Sequence, residues 1–179
     1  MTLVVACSVK HAPGVTTTNL SVAAGWPEGR PVLLAECDPA GGDLLCWYGH
    51  QEERGLLAEP GLASLAVTGR RGVTAEMVLE HSQPLPGNGS VRALVAPVAG
   101  EQARAALSGL MMAGLAEACA SIEGYDVLVD AGRLETVSPA VEMASRADIT
   151  LLVVRPTMAG VAHVPVSYTH LTLPTNREV

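Results

Sequence analysis

Five short apolar runs constrain this chain more than anything else in it: TLVVACS (2–8), PVLLAE (31–36), VRALVAP (91–97), YDVLVDAG (125–132) and DITLLVVRP (148–156). A strand with one wet face alternates apolar and polar residues. These runs do not, so each is expected to be a strand buried on both faces. Between them lie stretches with helical spacing: 15–26, short helices within 43–81, 100–124, 138–147 with a proline in its first turn, and the start of another at 157–164. The segment SQPLPGNGS (82–90) reads as a surface loop. Strands alternating with helices predict an α/β fold, a parallel twisted sheet flanked by helices. The chain is 49% hydrophobic without a single Phe, so its core must be Ala, Val and Leu, which lets helices pack closely on a sheet. No repeat or low-complexity linker divides it, and residues 1–165 read as one domain.

Charge and cysteine usage exclude several classes. The net charge is −7, with ten Arg and a single lysine, Lys10. That balance argues against strong free-standing nucleic-acid binding. Cys7, Cys37, Cys46 and Cys119 form no C-x-x-C pair and are expected to be reduced, mostly buried thiols. There is neither a basic leader with an apolar core nor a run of ~20 apolar residues, so a soluble, cytoplasmic protein is expected. Met111 and Met112 read as core residues, and Arg70-Arg71 as a solvated turn. The last fourteen residues, VSYTHLTLPTNREV (166–179), lack the Ala and Gly that fill the rest. They resemble the translated read-through of a sequencing adaptor. The expectation is a non-native tail on a domain truncated at its C-terminal end.

The functional signal lies between the first strand and the first helix, in KHAPGVTTT (10–18). A phosphate-binding loop there aims successive backbone N–H groups and a helix N-terminus at an anion. The usual pattern, G-x-x-x-x-G-K-[ST], adds a lysine for the phosphates and a hydroxyl for Mg2+. No G-x-G-x-x-G follows the strand, so a dinucleotide-binding Rossmann reading fails.

Three motifs in order, KHAPGVTTT, ECDPAGG (36–42) and YDVLVD (125–130), resemble the MinD/ParA-type P-loop ATPases. Their loop reads K-G-G-x-G-K-[ST]-T. The resemblance covers residues 1 to about 165. It implies a P-loop NTPase-like sheet, ATP and Mg2+ as cofactors, and a homodimer. Lys10 falls on the family's signature lysine, which reaches phosphate across the dimer interface. Gly14, Val15, Thr16 and Thr17 fall on the nucleotide-binding loop. Thr16 and Asp130 fall on the Mg2+ positions, and Asp38 on the acid that orients the attacking water. Glu36 replaces a first acid and is expected either to assist Mg2+ or to pair with an arginine.

The departures are large. His11 and Ala12 replace glycines, Pro13 removes a backbone donor, and Val15 stands where the family has its catalytic lysine. The sequence DAGR (130–133) replaces D-x-P-P, leaving Arg133 as a candidate near the phosphates. The resemblance therefore implies a nucleotide-dependent switch with weak or absent ATP hydrolysis. Its partner would be DNA, a membrane, or a secretion or pilus machine. Two other readings stand beside it: a non-hydrolysing scaffold that needs no nucleotide, and a small-molecule amide-forming enzyme on the same fold.

Overall fold

A computed structural model describes residues 1–10, 13–49, 55–135, 137–162 and 164. The loop residues His11 and Ala12 and the tail 166–179 lie outside the described residues. The elements run β1 (Leu3–Ser8), α1 (Val15–Ala24), β2 (Val32–Glu36), α2 (Leu44–Tyr48), α3 (Leu62–Thr68), α4 (Ala75–Glu80), β3 (Gln83–Leu85) and β4 (Asn88–Leu94). They continue with α5 (Gly100–Met112), α6 (Leu115–Cys119), β5 (Asp126–Arg133), α7 (Val141–Arg146), β6 (Ile149–Leu152) and α8 (Met158–Ala162).

The six strands form one sheet in the order β3-β4-β2-β5-β1-β6. All neighbouring pairs are parallel except β3 with β4. The first four apolar runs are buried on both faces, as their lack of alternation requires; the fifth is not, because β6 is an edge strand and Ile149 is 48% exposed. Leu3, Val5 and Cys7 of β1 pack with Leu33, Val127 and Val129 against Leu62, Leu107, Leu110, Leu115 and Met143 from α3 and α5 to α7. Val4, Leu34, Ala93 and Leu128 face the other way, onto Ala23 of α1 and Leu44 of α2.

Four further expectations are corrected. The segment 82–90 is not a loop: Gln83–Leu85 turns back through Gly87 onto β4 as an antiparallel hairpin at the sheet edge. Its strand character is hard to see because Pro84, Pro86 and two glycines interrupt it; such residues are tolerated at an edge. The helix expected over 100–124 breaks at Ala113–Gly114 into α5 and α6. The last strand stops at Leu152, well short of Pro156. Met111 is buried, but Met112 is 86% exposed, because one helical step turns it off the core face. The Arg70-Arg71 turn is exposed, and Cys7, Cys37 and Cys119 are buried free thiols while Cys46 is exposed.

The start of the chain is pinned by Asp126, which is 2% exposed. Its carboxylate accepts from the Thr2 amide at 2.7 Å, Trp26 Nε1 at 2.9 Å and Arg30 at 2.6 Å. Burial pushes this carboxyl up, but those hydrogen bonds and the charges of Arg30 and the N-terminus outweigh it and hold it below its ordinary value. Asp126→Ala strands these donors and is expected to cost about 2–3 kcal/mol. A shifted urea midpoint would show it, and an unchanged midpoint would contradict it.

Candidate functional site

Because β1, β2 and β5 are parallel, their C-terminal ends meet at one edge of the sheet, where open α/β sheets bind ligands. Gly14 takes a left-handed conformation (φ 88°, ψ 37°) and opens α1. A side chain at that φ would be strained, which explains a glycine at this one loop position. The Gly14 carbonyl accepts from the Thr18 amide and the Thr18 hydroxyl, both at 2.9 Å.

Val15, the first helical residue, is 1% exposed. It adds no charge to the loop and is itself part of the protein interior. The Thr16 hydroxyl donates to Asp43 Oδ2 at 3.5 Å and lies near enough to the Asp130 carboxylate to lower its pKa. Thr17 is exposed, and its carbonyl accepts from Ser21 Oγ at 2.8 Å. Lys10 is half-buried and lines a cleft of about 220 Å³ with Val9, Val153 and Arg155, between the ends of β1 and β6.

Asp130 sits in register with Ala6 of β1 on one side and Glu36 of β2 on the other. It is 2% exposed. Burial raises its pKa to about 6; the nearby Thr16 hydroxyl and the hydrogen bond from the Gly132 amide oppose the rise, and the charges of Asp38 and Asp43 add to it. Beyond Asp130 the pairing of β1 with β5 slips, so that Ser8 lies opposite Arg133. Gly132 makes this possible with φ 55°. Its missing side chain leaves room for the Asp38 carboxylate, which a methyl built on Gly132 would overlap. Asp38 also accepts from the Ala40 amide at 2.7 Å. Burial raises the Asp38 pKa against that bond, Asp43 raises it further, and the Arg104 charge lowers it.

Thus Gly14, Thr16, Asp38 and Asp130 converge on one edge, while Thr17 points outward and Lys10 lines the neighbouring cleft. Glu36 is buried at the end of β2, in register with Asp130. It pairs with no arginine among the described residues, and both carboxylate oxygens are taken by backbone amides. Arg133 pairs with Glu135 at 3.3 Å, both half exposed. Two residues were missed: Asp43, visible only as the acid closing a glycine-rich turn, and Arg104, which carried no sequence signal.

No ready-made cluster of three or more His, Cys, Asp or Glu ligands exists among the described residues. The oxygen donors of Thr16 and Asp130 nonetheless suit Mg2+, which usually takes one or two protein oxygens and fills the rest with phosphate and water. In the same way, the left-handed glycine opening a helix suits a phosphate.

This mostly parallel sheet with its flanking helices is similar in fold to MinD/ParA-type P-loop ATPases of known structure. No family model matches the sequence, and no curated protein matches it. Solved structures do. Apo McdA from Cyanothece is 19% identical with a TM-score of 0.67, over 94% of this chain and 64% of that one. MinD with Mg-ADP from Pyrococcus horikoshii is 21% identical with a TM-score of 0.62, over 94% and 65%. Cobyrinic acid a,c-diamide synthase from Mycobacterium smegmatis, bound to an ATP analogue and magnesium, is 19% identical with a TM-score of 0.64, over 96% and 67%. At these identities the likeness is one of fold. The chain spans less than two thirds of the McdA and MinD chains it matches.

Proposed function

We propose that this chain is a nucleotide-binding switch of the MinD/ParA type with weak ATP hydrolysis. The observation that carries this reading is the approach of the Thr16 hydroxyl to the acids Asp43 and Asp130, beside the left-handed Gly14. It couples the loop to the acid at the end of β5, where a metal–phosphate group needs both. Gly14 and the first amides of α1 would cradle phosphate, with Lys10 supplying the positive charge. Thr16 and Asp130 would hold Mg2+, which when bound neutralises charge building on the phosphate oxygens. Asp38 would orient water.

Hydrolysis would be slow because Val15 is buried and uncharged. One lost charge-assisted contact is worth about 1.5–3 kcal/mol, and the transition state depends on such contacts. A homodimer in the cytoplasm, attached to DNA, a membrane or a secretion or pilus machine, completes the proposal. Among the described residues no helix is long and apolar enough to cross a membrane. The buried valine also favours a second reading, a scaffold that dimerises and recruits partners without nucleotide.

Calorimetric titration of MgATP separates the two. The switch predicts micromolar binding, weakened at least about tenfold by Thr16→Ala, which is roughly 1.4 kcal/mol. Val15→Lys is then expected to raise turnover by about tenfold to a hundredfold. No binding at millimolar MgATP, with self-association indifferent to Thr16→Ala, would leave the scaffold.

A further inference from the structure

Glu36 ends β2 with a carboxylate that the site just described does not use. The residue is 1% exposed. Its Oε1 accepts from the amides of Asp43 at 2.7 Å and Leu44 at 2.8 Å, and its Oε2 accepts from the amide of Ala96 at 2.9 Å. These donors come from two separate segments: the end of the turn that follows β2, and the chain leaving β4. The turn is fastened a second time by the Gly42 amide, which donates to the Pro97 carbonyl at 3.0 Å. A Cβ on Gly42 would lie 2.5 Å from Glu36 Oε2 and 2.9 Å from the Ala96 carbonyl oxygen, so the carboxylate and the chain fill all the space there.

The candidate site takes two acids from this turn. Asp38 begins the turn, against Gly132. Asp43 ends it, 3.5 Å from the Thr16 hydroxyl. A neutral amide acceptor could hold one side of the fastening but not both. A carboxylate holds both, and hydrogen bonds to a charged acceptor are the stronger kind.

We propose that Glu36 is a positioning residue for the nucleotide site: its carboxylate ties the turn 37–43 to the end of β4 and thereby sets Asp43 beside Thr16 and Asp38 beside Gly132. The proposal rests on the nucleotide reading above. Glu36 acts through the turn and is not a ligand of Mg2+.

The test is Glu36→Gln, which keeps the size and removes one acceptor. Amide hydrogen exchange and MgATP titration at several Mg2+ concentrations are run on the same samples. The expected result is at least tenfold faster exchange at Asp43, Leu44 or Ala96. MgATP affinity is expected to fall three- to tenfold with the apparent Mg2+ constant unchanged. Combining Glu36→Gln with Asp43→Asn should weaken binding no further than the worse single change, since both act through one turn. Gly42→Ala, which keeps the charge and crowds the carboxylate, is expected to give the same signature if Glu36→Gln does not fold.

Unchanged exchange at all three amides would overturn the proposal. So would an affinity loss that saturating Mg2+ restores, because that would make Glu36 part of the metal site. Wild-type binding with full affinity in both variants sinks the positioning role and leaves the switch standing. Faster exchange in a protein whose wild type binds no MgATP sinks the switch, and with it a role for Glu36 in nucleotide binding.

Discussion

Asp130→Asn is expected to make the ligand-free protein more stable at pH 8 while removing its response to Mg2+. Burial holds Asp130 at about 6 and Glu36 at about 7, above ordinary values of 3.8 and 4.5. For Glu36, the amides of Leu44, Ala96 and Asp43 oppose the rise and the Asp130 charge adds to it. Both groups bind protons more tightly folded than unfolded. Their contribution to stability is therefore complete below about pH 4 and is lost as pH climbs through 6 and 7. A shift of about two units is worth roughly 3 kcal/mol.

Asparagine removes the charge yet still accepts the Gly132 amide bond that Asp130 Oδ1 accepts at 3.0 Å. The gain is expected to be about 2–3 kcal/mol at pH 8, roughly 5–10 °C in Tm, and close to nothing at pH 4. Calorimetric scans of both proteins across that range check it. A wild-type Tm that rises between pH 5 and 8 would contradict it. Loss of Mg2+-dependent nucleotide affinity in the same variant marks the acid as one kept for function at a cost in stability.

Gly132→Ala is the second large effect. Alanine must adopt φ 55°, a left-handed conformation that costs an L-residue about 1–2 kcal/mol. Its methyl also occupies the space of the Asp38 carboxylate, which must then swing away and give up its bond from the Ala40 amide. A loss of about 2–3 kcal/mol is expected, read from the denaturant midpoint. Residual ATP turnover should fall to the level of Asp38→Ala, with the double variant no lower. A Gly132→Ala protein that retains wild-type stability and turnover would show that Asp38 does not depend on this gap.

In DAGR the end of β5 gives the space of a side chain at Gly132 to the Asp38 carboxylate, and only the structure shows it. Sequence alone could mark Asp130 as a strand-end acid, because a carboxylate closing the apolar run VLVD needs a reason to be there. It could mark Gly14, Val15 and Thr16 because a loop's geometry is written in consecutive residues. The hairpin at 83–94 was hidden, since its strand pairs at an edge where prolines and glycines are tolerated. The break at Gly114 was hidden because the apolar period carries on across it from α5 into α6.

What the sequence by itself determined is the sheet and the side of the sheet that carries the chemistry. Burial on two faces is a local property, visible as unbroken apolar runs, and a parallel arrangement then gathers the strand ends and their loops. What only the tertiary structure decided is the company each acid keeps. Glu36 finds its amides 7, 8 and 60 residues away, and Asp38 finds its space at Gly132, on another strand. No local pattern encodes those meetings. They follow from β2 lying between β4 and β5, where the desolvation of a carboxylate forces it to take whatever donors the neighbouring strands bring.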